Sequence, residues 1–222
     1  MTMPHDYQTP RTTVRRIPQR GVYDRDTIHQ ILDEGLVCHV GFALQGRPYV
    51  IPMAYVRREE QVCLHGAQAS RMMRALASGV EVCVTVTLLD GLVLARSAFH
   101  HSMNYRSVVI LGTGAAVEEP AEKIAVLQAL SEHIIPGRWR DIRGPNEHEL
   151  RQTLVVAIPI REASAKIRTG PPKDDEEDYA LPIWAGVLPF RQTAGRPVAD
   201  PHVAAGLTAP SYVTEYGGPA RV

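Results

Sequence analysis

The chain has 222 residues, 45% of them apolar, and balances 24 basic against 24 acidic side chains. That size and apolar share suit one globular domain with tails. Neutral charge argues against a whole-surface nucleic-acid binder, and no apolar run approaches the ~20 residues that cross a bilayer, so no nucleic-acid or membrane partner is expected.

Residues 1–20 hold Pro4, Pro10 and Pro18 among Arg11, Arg15, Arg16 and Arg20, and read as an extended basic arm. The domain proper spans 21–190. Asp24 is an N-cap for a helix over 25–34, in which Ile28, Ile31 and Leu32 share a face, and Gly35 stops it. A strand over 36–44, a Gln45-Gly46 turn and a strand over 47–57 follow. Pro48 and Pro52 mark the second strand as an edge, or as backbone facing something other than a neighbouring strand. The next strand ends at His65. Residues 66–69 are small and turn-like, and Ser70 takes the N-cap position of a helix reaching Ala77.

After Gly79, the stretch 80–88 is rich in β-branched residues and is the strongest strand signal in the chain. Asp90-Gly91 predicts a tight turn and 92–98 a return strand. FHHSMN (99–104) reads as an irregular polar loop, and 105–117 as a long strand in which Gly112 and Gly114 allow a bulge. Pro120 opens a helix carrying Ile124, Leu127, Leu130 and Ile134 at helical spacing. Asn146 and Glu149 form a capping box, and 153–160 and 165–168 are strand-like. Residues 174–178 are an exposed acidic run. The segment 180–190 must dock, because Ile183, Trp184, Val187, Leu188 and Phe190 are costly to leave in water. From 191 to 222 the Pro, Gly and Ala content predicts a poorly ordered tail.

Six or seven strands joined mostly by tight turns give a mainly β fold: a small antiparallel β-barrel with helices at a few corners. The alternating order and glycine fingerprint of a dinucleotide-binding sheet are absent. Cys38, Cys63 and Cys83 form no CxxC pair and lie in apolar runs, which predicts buried reduced thiols and a cytoplasmic protein.

Two stretches carry chemistry. Ser70 and Arg71 open a helix, where unpaired N–H groups, a hydroxyl and a guanidinium suit a phosphate or another anion. The plainer alternative is a capped helix with solvated Arg71 and Arg74. The second stretch, 96–114, holds His100-His101, Ser102, Asn104 and Tyr105-Arg106-Ser107. With His65 these histidines make a poor metal set. Adjacent residues on an extended chain point to opposite faces, and no acidic or cysteine ligand accompanies them, so no metal site is expected.

Taken together and in this order, RPYVIPMAYV (47–56), LHGAQASRMMRAL (64–76), ARSAFHHSMNYRSVVILGTG (95–114) and LPIWAGVLPF (181–190) resemble the pyridoxamine-5′-phosphate-oxidase-like flavoproteins, on the side of the nitroimidazole-resistance (Nim-type) reductases. The resemblance spans about 16–190. It implies an FMN-binding split β-barrel, a homodimer holding two FMN molecules at the subunit interface. It makes Ser70 and Arg71 the phosphate site and lays Val50, Ile51, Pro52 and Met53 along the isoalloxazine. Tyr105, Arg106 and Ser107 match an interface strand that reaches the cofactor from the partner, and Met72 and Trp184 complete the cofactor set. His65 matches the histidine near flavin and substrate in the Nim-type proteins, and is the candidate catalytic residue, donating a proton or orienting a small-molecule substrate. The residues specific for pyridoxal phosphate are not recognisable. Two functions follow from the resemblance: an FMN-dependent oxidoreductase reducing nitroimidazole-like or other electron-poor molecules, or a non-catalytic flavin- or haem-binding carrier or sensor.

Overall fold

The period-two pattern of the strands shapes the molecule. The computed structural model describes residues 7–219. A short strand β1 (Gly21–Val22) and helix α1 (Arg25–Glu34) lead into β2 (Val37–Leu44), β3 (Arg47–Ala54), β4 (Val56–Arg58) and β5 (Gln61–Ala67). Helix α2 (Arg71–Ala77), the long strands β6 (Glu81–Leu94) and β7 (Ser102–Thr113), and β8 (Ala115–Ala116) follow. Then come α3 (Pro120–Ile134), α4 (Glu147–Gln152), β9 (Thr153–Pro159), β10 (Glu162–Arg168), β11 (Gly186–Pro189) and α5 (Ser211–Thr214). The larger sheet runs β1-β10-β7-β6-β2-β3, with β11 also on β6; the smaller runs β4-β5-β9-β8. Every pairing is antiparallel, as tight connections require.

Alternate residues of both sheets meet in one core. Cys38, Val40 and Phe42 of β2, Val82, Val84 and Val86 of β6, and Val108 and Ile110 of β7 face Val62, Leu64, Val156 and Ile158 of the smaller sheet. Ile28, Ile31 and Leu32 of α1 and Met73 and Leu76 of α2 plug the same core. Burying that apolar area is the main favourable term. A second cluster, Val56, Cys63, Val126, Leu130, Val155 and Ala157, forms between the smaller sheet and α3. The mainly β, antiparallel barrel expected from the sequence is therefore the observed fold, and the Asn146–Glu149 capping box is present.

Several local expectations change. Asp90-Gly91 is a bulge inside one continuous strand, not a hairpin turn, because β7 pairs along both halves of β6. Asp90 accepts from Arg106 (3.0 and 2.7 Å), and the missing side chain at Gly91 lets β11 approach. The strand expected over 47–57 divides at Tyr55, whose buried ring leaves the sheet and whose Oη donates to Leu32 O at 2.5 Å. The described part of the N-terminal arm, 7–20, is pinned and not free. Tyr7 is buried, meets Glu60 and lies 2.9 Å from His29 Nε2, while Arg11 pairs with Glu81. Within the acidic run Asp174 is not exposed: its carboxylate is fully covered and accepts from Arg96 N and Nη1, both at 2.9 Å. Segment 180–190 docks through the backbone of β11, yet Trp184 stays 70% exposed. The tail is not uniformly loose. Tyr216 Oη donates to Ile134 O (2.8 Å) and Arg138 donates to Tyr212 Oη (3.1 Å), fastening its end to α3.

A Cβ added at Gly91 would stand 2.6 Å from Leu188 O and 3.0 Å from Pro189 Cα, so β11 would have to move. Gly91→Ala is expected to lower unfolding stability by about 1–3 kcal/mol in urea titrations. Gly144→Ala, with open space around it, should change stability little. Equal midpoints for the two variants would contradict this role for Gly91.

Candidate functional site

Strand β5 turns Val62 and Leu64 into the barrel and Cys63 and His65 to its other side, because side chains alternate along a strand. His65 opposes Val155 of β9 and faces α3. There it lines an open groove of about 670 Å³ with Leu127, Leu130, Ser131 and Ile134 of α3 and with Trp139, Ile142, Arg143, Pro145 and Glu149. The capping box fixes Glu149, which accepts from Arg143 at 2.7 and 2.5 Å. The His65 Nδ1 is buried without a hydrogen-bond partner. Burial pushes the His65 pKa below its ordinary value, so the ring is neutral at pH 7. A neutral imidazole in an apolar groove offers a free lone pair and is a poor reservoir of protons. Among the described residues no group of three or more His, Cys, Asp or Glu could hold a metal ion, so a bare ion would lack ligands here.

The residues expected along a flavin lie elsewhere. On β3, Ile51 and Met53 turn toward the core, while Val50 (67% exposed) and Pro52 face out. Tyr49 stacks on Phe42 at 5.4 Å, and the Arg71 guanidinium lies 4.9 Å from the Tyr49 ring centroid. Ser70 Oγ accepts from Met73 N at 3.3 Å, capping α2. Met72 is buried in the core, so its side chain serves the barrel. Tyr49, with Arg71 over its ring, thus lies on the core side of this edge strand with Ile51 and Met53, while Val50 and Pro52 stand on its opposite, exposed face.

Tyr105, Arg106 and Ser107 sit on β7, three strands from β3 in the sheet order, or about 14 Å at ~4.8 Å per strand. Arg106 donates to both oxygens of Glu34 (2.5 and 2.9 Å) and to Asp90, and these bonds push its pKa up. It is committed to two carboxylates. Ser107 Oγ donates to Lys166 O at 3.4 Å. Trp184 lies against Gly186, before β11. Within one chain the fold therefore brings Arg71 to Tyr49 of the β3 edge, and leaves Tyr105–Ser107 three strands away in the sheet. The α3 side of the His65 groove is absent from the sequence reading. Leu127 and Ile134 share a helical stripe with the packed Leu130, and spacing alone does not separate core from groove.

The family profile described as pyridoxamine 5′-phosphate oxidase matches residues 24–167. No curated protein matches the chain. Among solved structures, the flavocytochrome Anf3 from Azotobacter vinelandii is 40% identical, covers 96% of this chain and 98% of its own, and superposes with a TM-score of 0.89. The FAD and haem binding protein from Mycobacterium smegmatis is 35% identical, with 90% and 98% covered and a TM-score of 0.86. A protein described as a 5-nitroimidazole antibiotic resistance protein, from Bacteroides thetaiotaomicron, is 24% identical, with 66% and 86% covered and a TM-score of 0.56. That last likeness is one of fold.

Proposed function

The chain belongs to the pyridoxamine 5′-phosphate oxidase family, and from that membership we propose that it is a redox protein binding a flavin on the barrel and a haem in the His65 groove. The observation that carries this reading is His65 itself: a neutral imidazole lining an apolar groove under α3, with Nδ1 covered and Nε2 the nitrogen left to ligate. A haem needs one or two protein ligands, since the porphyrin supplies the rest, so a lone histidine that cannot hold a bare ion fits one. The groove volume lies within the ordinary range for cofactor sites. Leu127, Leu130, Ile134 and Trp139 would cover apolar faces. The two relatives at 40% and 35% identity, whose descriptions name a flavocytochrome and FAD and haem binding, support the pairing. His65 then serves as a metal ligand and not as the proton donor expected from the sequence, in keeping with its lowered pKa.

The flavin reading keeps the β3 edge and the start of α2. Arg71 and the capped start of α2 would hold a flavin phosphate, and Val50 and Pro52 would lie beside the ring system. FMN and FAD share that phosphate; the 35% relative favours FAD. Bound flavin and haem supply two-electron and one-electron exchange respectively; the protein contributes position, exclusion of water and electrostatics. Reduction of nitroimidazoles rests only on the sequence resemblance and is the secondary reading.

We also assign a homodimer. Val37, Val50 and Trp184 are exposed, as are Ile183, Leu188 and Phe190, and a monomer would leave this apolar surface in water. Light scattering at micromolar concentration should give twice the chain mass; a stable flavin-loaded monomer would contradict the dimer.

The cofactor assignments separate in two variants of the full chain. His65→Gly should abolish Soret absorption while flavin absorption persists, and added imidazole should restore the band. Arg71→Glu should weaken FMN at least about tenfold, through loss of a charge-assisted contact, and spare the Soret band. A Soret band unaffected by His65→Gly would remove His65 as the ligand.

A further inference from the structure

Strand β10 ends on a buried positive charge that no carboxylate among the described residues neutralises. Arg168 is only 7% exposed. It donates to Asn104 Oδ1 and to the Gly170 and Pro171 carbonyls, both at 3.3 Å, and its Nε is buried without a partner. All three acceptors are neutral. The other well-covered arginines differ: Arg57 has Asp33, Arg96 has Asp174, and Arg106 has Glu34 and Asp90. A buried guanidinium without a counter-ion is strongly unfavourable unless a ligand or partner supplies one.

Two further cations stand beside it. Lys166 lies two residues back on β10 and shares its face of the sheet. Arg20 directly precedes β1, whose Gly21 opposes Lys166. Burial, and then the positive charge of Arg20, push the Arg168 pKa down. Among the described residues neither Lys166 nor Arg20 forms an ion pair. Arg20 thus acts on Arg168 where β1 and β10 meet, Lys166 occupies the same face of β10 two residues back, and Arg168 is a planar fork with one unpartnered N–H. That donor set matches an oxyanion carrying several charges better than a single carboxylate.

We propose that Arg168, with Lys166 and Arg20, forms a binding site for a phosphate-class anion, the phosphate or diphosphate of a nucleotide. The ligand has two sources: a separate dinucleotide reductant, which is independent of the reading above, or the phosphate tail of the flavin, which rests on that reading and would then sit here and not at Arg71. A carboxylate from a second copy of the chain is the competing occupant.

The test is calorimetric titration of the dialysed full chain at low salt, first with inorganic diphosphate, a probe independent of flavin. Wild type should bind. Lys166→Gln and Arg168→Lys should each weaken binding about tenfold or more, as loss of a charge-assisted contact predicts, while Arg71→Glu should not. Circular dichroism checks folding, and Lys166→Gln with Arg20→Gln carries the test if Arg168→Lys unfolds. The source follows from a second titration. Weaker FAD or FMN but unchanged riboflavin in these variants assigns the site to the flavin tail. Unchanged flavins with weaker reduced nicotinamide dinucleotide assign it to the reductant. Absence of diphosphate binding by wild type, or equal binding by all variants, overturns the proposal whether or not the protein carries flavin. A shift of the variants to monomer in light scattering, with diphosphate binding unchanged, overturns it in favour of the second copy.

Discussion

The register of β5 between β4 and β9 is the constraint on which the site depends. With Leu64 opposite Val156 and His65 opposite Val155, Val62 and Leu64 enter the barrel and Cys63 and His65 go under α3. A slip of one residue would exchange those faces, burying an imidazole in the main core and exposing two aliphatic side chains. Seven paired positions from Gln61 to Ala67 hold that register, and Gly66 keeps it close to α2: a Cβ there would meet Met73 Cγ at 2.8 Å. The same strand therefore completes the barrel wall, floors the groove and delivers the chain to Ser70.

Electrostatics divides the molecule in a related way. The strongest ion pairs, Arg106 with Glu34 and Asp90 and Arg57 with Asp33, tie α1 to the strands and are satisfied within the chain. Removing one partner of such a covered pair would leave the other stranded. Buried polar atoms without a hydrogen-bond partner include His65 Nδ1 under α3, Arg168 Nε at the end of β10, and Arg96 Nε and Ser97 Oγ after β6. Buried thiols are inert by comparison: burial pushes Cys38 up to about 12 and Cys63 up to about 11.

What was legible in the sequence was local. The Asp24 cap and the bounds of α1, the Gln45-Gly46 turn with positive φ at both residues, and the Asn146 capping box depend on side chains within a few positions. What was not legible depends on distant partners. Nothing near Asp90-Gly91 says that β7 and β11 will hold both halves of β6 in one strand. The acidic setting of Asp174 hides its pairing with Arg96, 78 positions away. At the site, alternation puts His65 and Leu64 on opposite faces, but only the packing of α3 over the smaller sheet decides which face becomes a groove. The edge position of β3 and the Ser70 cap were legible, through the strand's prolines and the helix start; the stacking of Arg71 on Tyr49 was not.

The central claim is that one chain carries two separate redox-cofactor sites, one at the β3 edge of the barrel and an imidazole groove beneath α3. It is tested most directly by the ultraviolet–visible spectrum of the purified wild-type protein, after incubation with haemin and flavin and removal of unbound material. The account predicts flavin absorption together with a Soret band that shifts on reduction. Flavin absorption alone, with no Soret band retained at any haemin concentration, would contradict it.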